Sequence, residues 1–144
     1  MGENVNTITT RVGMFPSQLD AWKLARGFIE DFCTGTGVER QSCLKLCLVI
    51  EELFLNTVKH GHRGGSDAPV WLSLAENGGE VSLVYEDRAP PFNPFAEATR
   101  EMLEALAETR REGGLGVLLA HGLTSSADYA YLFGRNRIRL AMKR

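Results

Sequence analysis

Leu48-Val49-Ile50-Glu51-Glu52-Leu53-Phe54-Leu55-Asn56-Thr57-Val58-Lys59-His60-Gly61-His62 is the stretch on which the fold turns. Its apolar residues read as the end of a long helix, yet Glu52, Asn56 and His60 recur every four positions. Four helical residues advance the chain about 400° round the axis, so these three polar groups fall on one stripe. A carboxylate in so apolar a helix is costly unless it is paired or works as a base, because desolvation disfavours its charged form. Glu51 is the neighbouring candidate for that role, but it points about 100° away. Only Glu52 has the four-residue spacing to Asn56.

The helix that carries the stripe is predicted over about Glu39 to His60. It is apolar round most of its circumference, which predicts a central, buried element. Before it, Leu19, Trp22, Leu24, Ala25, Phe28, Ile29 and Phe32 recur at helical spacing, with Ser17 or Asp20 available as a cap and the Thr34-Gly35-Thr36-Gly37 break as a stop. An edge strand over Ile8 to Val12 comes first.

After the helix, Gly61 to Pro69 is a polar, glycine-rich loop. Val70 to Ala75 and Val81 to Glu86 alternate as strands on either side of Asn77-Gly78-Gly79, a hairpin signal. Asp87-Arg88-Ala89-Pro90-Pro91-Phe92-Asn93-Pro94 is excluded from regular structure by its three prolines. A charged helix over Ala96 to Glu108 and the loop Gly113-Gly114-Leu115-Gly116, opening a helix to Leu123, follow. Two last strands, Tyr129 to Phe133 and Arg137 to Met142, flank Gly134-Arg135-Asn136. Most sheet neighbours are hairpins, so the expected class is α+β: a two-layer sandwich with helices on one face of a mixed, mostly antiparallel sheet.

With 144 residues, residues 1–144 read as one domain. A net charge of -2 gives no general attraction for nucleic acid or anionic lipid. The basic group Arg135, Arg137, Arg139, Lys143 and Arg144 reads as a solvated strand face. No apolar run approaches the ~18 residues that span a bilayer, so a soluble, cytoplasmic protein is expected. Three cysteines, with Cys43 and Cys47 one helical turn apart, suit neither a disulfide framework nor a four-ligand metal site. They read as reduced thiols.

Three separated pieces now belong together: Glu52-x3-Asn56-x3-His60-Gly61, Asp87 before a proline-rich turn, and Gly113-Gly114-x-Gly116 at a helix start. In this order they resemble the N box and the two G boxes of the ATPase superfamily shared by gyrase and the histidine kinases, whose domain is the Bergerat ATP-binding fold. Asp-x-Ala-x-Pro-Phe-Asn-Pro is similar to the stand-alone branch of anti-sigma factor serine kinases. The resemblance covers about Ile8 to Met142.

What the resemblance implies is specific. Glu52 takes the place of the general base that activates a serine or water, and Asn56 that of the Mg2+ ligand. His60 takes the place of the histidine near the phosphates. Asp87 corresponds to the acceptor of the adenine amino group. Ala89 stands where the family usually has glycine, and Phe92 offers an apolar wall. Gly113, Gly114, Leu115 and Gly116 correspond to the phosphate loop, where free N–H groups and a helix dipole hold anions. The stretch Phe95 to Arg111 corresponds to a lid. The implied function is a bacterial, ATP- and Mg2+-dependent serine protein kinase that phosphorylates a STAS-type antagonist, binds a sigma factor and acts as a homodimer. A nucleotide-sensing module that sequesters a regulator without phosphorylating it is the alternative.

Overall fold

The computed structural model describes residues 7–61, 66–96 and 126–144, with the backbone alone for His60 and Gly61. The expected phosphate loop at Gly113 to Gly116, His62, Arg63 and nearly all of the expected lid lie outside these residues.

The described elements are β1 (Thr9–Pro16), a 3-10 turn (Leu19–Ala21), α1 (Trp22–Thr36) and α2 (Arg40–Asn56). A π-helical segment (Thr57–Gly61), β2 (Pro69–Glu76), β3 (Glu80–Asp87), β4 (Ser126–Leu132) and β5 (Arg135–Lys143) follow. The strands form one sheet in the order β1-β2-β3-β5-β4. Every pairing among them is antiparallel, in keeping with the mostly antiparallel sheet expected.

Strict alternation makes one face of this sheet. Val70, Leu72 and Leu74 on β2, Val81, Leu83 and Tyr85 on β3, and Ile138, Leu140 and Met142 on β5 all point inward and are buried. They form one cluster with Ala25, Ile29 and Phe32 of α1 and with Leu46, Ile50, Leu53 and Phe54 of α2. The two-layer α+β sandwich is therefore present.

Local chemistry corrects several boundaries. β1 runs on to Pro16, because its pairing with β2 continues through Phe15↔Val70 and Pro16↔Pro69. Neither Ser17 nor Asp20 caps α1. The Ser17 hydroxyl is buried and donates to the Ala68 carbonyl at 2.8 Å, and a 3-10 turn leads into the helix instead. Gly35 lies inside α1, and the stop is Gly37, whose φ of 75° suits a residue without Cβ.

The central-helix expectation for α2 holds on one side only. Leu46, Val49, Ile50, Leu53 and Phe54 are buried, whereas Leu44 is 39% and Leu48 50% exposed. The sandwich has no second sheet to cover that side among the described residues. No described helix is long and apolar enough to cross a membrane.

The turn between β4 and β5 consists of Phe133 and Gly134, with φ of 54° and 77°. Two successive positive φ values define the tight turn that matches strand twist. The strands therefore extend closer together than expected, with Leu132 opposite Arg135. Asn136 lies within β5, opposite Asp87 on β3.

Candidate functional site

Three elements end at one corner of the sandwich. Asp87 is the last residue of β3, Asn136 the second of β5, and Thr57 the first beyond α2. All three are at most 5% exposed, so their polar atoms must find partners within the protein.

Asp87 is answered from three sides. Its Oδ1 accepts from the Ala89 backbone N–H at 3.1 Å and from Asn136 Nδ2 at 2.8 Å. Its Oδ2 accepts from the Thr57 hydroxyl at 2.7 Å. A carboxylate has about four acceptor positions, and three protein donors leave one on Oδ2. The bond from Ala89 is the local turn that aspartate makes with the residue two ahead.

Tyr85, two residues before Asp87 on the same face, lies with its Oη 2.6 Å from Thr57 Oγ1 and 3.1 Å from the Leu53 carbonyl. Burial first, and then the nearby Asp87 charge, push its phenol well above the usual range against the opposing Thr57 hydrogen bond. Tyr85 thus keeps its proton at any physiological pH, and donating it to Thr57 Oγ1 across the 2.6 Å contact leaves the single Thr57 proton for Asp87. Thr57 Oγ1 also lies 3.1 Å from the Leu53 carbonyl, the acceptor that competes with Asp87 for its proton. The helix widens to π geometry from this residue on. Glu52 and Asn56 both lie within α2, where the four-residue spacing puts them on one stripe.

Asn136 ties the irregular octet to the sheet. Besides Asp87, its Nδ2 reaches the carbonyls of Ala89 at 3.0 Å and Pro90 at 3.1 Å. Its Oδ1 accepts from the Phe92 N–H at 3.0 Å and the Tyr129 hydroxyl at 2.5 Å. Pro94 begins a helical turn, and Asn93 Oδ1 caps it by accepting the Phe95 N–H at 2.9 Å. Helical structure thus begins two residues before the expected Ala96.

The corner encloses a cavity of about 120 Å³, several times the space of one water. Leu53, Ala89, Phe92, Pro94 and Ile138 give it apolar walls. Asn56, Thr57, Tyr85, Asp87 and Asn136 supply the polar atoms. An apolar slot with one open acceptor at its end suits a flat, partly apolar ring bearing an N–H donor.

Of the residues predicted from sequence, Asn56, Asp87, Ala89 and Phe92 meet at this cavity. Glu52 does not line it. It is half-buried, one turn of α2 before Asn56. Sequence reasoning missed Thr57, Tyr85, Asn136 and Tyr129. The two tyrosines read as strand filler, and Thr57 was hidden beside the stripe. Only the β3–β5 register, which places Asn136 opposite Asp87, identifies the asparagine.

Among the described residues no group of three or more His, Cys, Asp or Glu is placed to hold a metal ion. Asn56 offers one hard carboxamide oxygen at the cavity. That suits Mg2+, which takes one or two protein ligands and completes its shell with waters and phosphates.

A two-layer sandwich with a buried carboxylate at the end of an apolar slot defines a small-ligand-binding domain. Residues 15–142 match the family model of the histidine kinase-like ATPase domain, and the chain belongs to that family. No curated protein matches the sequence. Among solved structures, the RsbU and RsbW domains of Rv1364c from Mycobacterium tuberculosis are similar to it, with a TM-score of 0.63 and 18% identity. The match covers 94% of this chain and 32% of that one, so this chain spans about a third of its length. Such low identity speaks for the fold alone.

Proposed function

We propose that the chain is an ATP-dependent serine protein kinase of the anti-sigma type, whose substrate is a serine on a small STAS-type antagonist. The observation that carries the nucleotide part is the single open acceptor position on Asp87, which suits the adenine amino group. Thr57, Asn136 and the Ala89 N–H fix the carboxylate so that it need not reorganise when the base arrives. Phe92, Leu53 and Ile138 flank the ring.

Asn56 holds Mg2+ beside the phosphates in this reading. The ion, when bound, neutralises charge on the transferred group. Glu52, one turn back from Asn56 and outside the base slot, accepts the proton of the substrate serine. Gly113 to Gly116 embrace the phosphates, a role that rests on the sequence. Sigma-factor binding and homodimerisation belong to the same proposal and rest on the sequence resemblance.

Incubation with radiolabelled ATP, Mg2+ and a cognate antagonist should label the antagonist. Glu52→Ala should abolish labelling and keep nucleotide binding. Retained labelling in that variant removes Glu52 from the role. Asp87→Asn should weaken binding by calorimetry at least about tenfold, since an amide offers a hydrogen where the ligand needs an acceptor. The position of Glu52 off the cavity wall favours a second reading, a nucleotide-sensing module without transfer. Nucleotide binding without labelling of any antagonist is its signature.

A further inference from the structure

The three cysteines, assigned no role by the nucleotide reading, gather at the interface of α1 and α2. Cys33 lies one turn before the short connection between these helices, and Cys43 one turn after it. Cys33 is 2% and Cys47 5% exposed, while Cys43 is half-buried. All three are free thiols. Cys33 and Cys47 belong to the core cluster between the helices, and Cys43 packs against it.

Cys33 and Cys43 also form part of the wall of an open groove of about 410 Å³, together with Arg26, Glu30 and Arg40. Small solutes can reach Cys43 through this groove.

We propose that Cys43 and Cys33 form an oxidisable thiol pair that closes an inter-helix disulfide when a hydroperoxide enters the groove. The Cys43 thiol gives up its proton as its sulfur attacks the peroxide oxygen, the O–O bond breaks, and the displaced hydroxide takes up that proton, leaving a sulfenic acid and one water. The Cys33 thiol then attacks the Cys43 sulfur, the S–O bond breaks, and the displaced hydroxide leaves with the Cys33 proton as water. Two thiols and one hydrogen peroxide give one disulfide and two waters.

Geometry selects Cys33 over Cys47 as the second partner. Residues four apart on a helix keep their Cβ atoms about 5–6 Å apart, whereas a disulfide needs about 3.5–4.5 Å. Cys43 and Cys47 cannot close without unwinding α2, but Cys33 is on another helix and shares the groove wall with Cys43. Burial first, and then the Cys43 sulfur, raise the Cys33 thiol far above its usual range. Burial also pushes the Cys47 thiol up to about 12. Cys43, half-buried on the groove wall while Cys33 and Cys47 are 2% and 5% exposed, is the thiol that a solute reaches first. With no three-ligand metal cluster among the described residues, thiol–thiol chemistry is favoured over thiolate–metal binding.

The test is independent of nucleotide. The reduced full chain is treated with hydrogen peroxide, remaining thiols are alkylated, and peptides are mapped by mass spectrometry. The expected product is the Cys33–Cys43 linkage. It should be absent from Cys43→Ser and formed at about the wild-type rate in Cys47→Ser. Cys33→Ala should stop at a Cys43 sulfenic acid that a dimedone-type probe traps, with circular dichroism confirming the fold. A Cys43–Cys47 linkage, a Cys43 sulfinic acid beside a free Cys33 in the wild type, or unchanged thiols would overturn the proposal.

Discussion

Glu86 and Asp87 are adjacent carboxylates on β3, and alternation sends them to opposite sides of the sheet. Asp87 turns inward, is 5% exposed and is held by neutral donors: a hydroxyl, a carboxamide and a backbone N–H. Glu86 turns outward and is held by charge, with Arg135 at 2.9 Å and Arg137 at 3.0 Å. The Arg135 guanidinium also lies 3.7 Å from the centre of the Trp71 ring. A buried polar group left without its partner bears a desolvation penalty, while water replaces a lost partner outside. Adjacent residues of one strand thus belong to two energetic regimes.

The most severe break in this comparison is Asn136→Ala, which strips a donor from buried Asp87 and frees the Phe92 N–H and the Tyr129 hydroxyl. A loss of about 2–3 kcal/mol is expected by urea denaturation. Thr57→Val keeps the shape and removes the donor to Asp87 Oδ2, and about 1–2 kcal/mol is expected from the same measurement. Both should exceed any change on the outer face.

There, Glu86→Gln should cost no more than about 1 kcal/mol near neutral pH. Burial works against ionisation of Glu86, but hydrogen bonds from Arg137 and Arg135 outweigh it and hold the carboxyl below its usual value. A depressed carboxylate stabilises the fold above its unfolded pKa, and that contribution is lost as pH falls through the folded value. The wild type should therefore lose stability in acid below about pH 4.3 more steeply than Glu86→Gln. Arg139→Ala, at an exposed pair with Asp128, should leave the urea midpoint within experimental scatter. If the Glu86 or Arg139 variant cost more than Asn136→Ala, the division into two regimes would fail.

The same division explains what could be read from the sequence. The β2–β3 hairpin was legible because Asn77-Gly78-Gly79 fixes the turn and alternation marks both strands. Asp87 and Asn56 were legible through spacing and through the family resemblance. Thr57, Tyr85 and Asn136 were not, because their roles arise between elements far apart in sequence: Thr57 meets Asp87 across 30 positions and Asn136 meets it across 49. Local pattern carries no such information. The exposed side of α2 was misread for a related reason, since Leu44 and Leu48 look like core in a list of apolar residues. Only the layer count shows that nothing described covers them.

Parity is a further consequence of the hairpin that ends in Phe133-Gly134. Along β5, Asn136, Ile138, Leu140 and Met142 share one side, and Arg135, Arg137 and Arg139 share the other. A single residue inserted between Asn136 and Ile138 would leave the far half of the strand in its core and turn its head over, sending the carboxamide to solvent and a guanidinium towards Asp87. Two inserted residues would preserve the sidedness. Length changes in relatives of this chain should therefore avoid this short span or occur there in even steps.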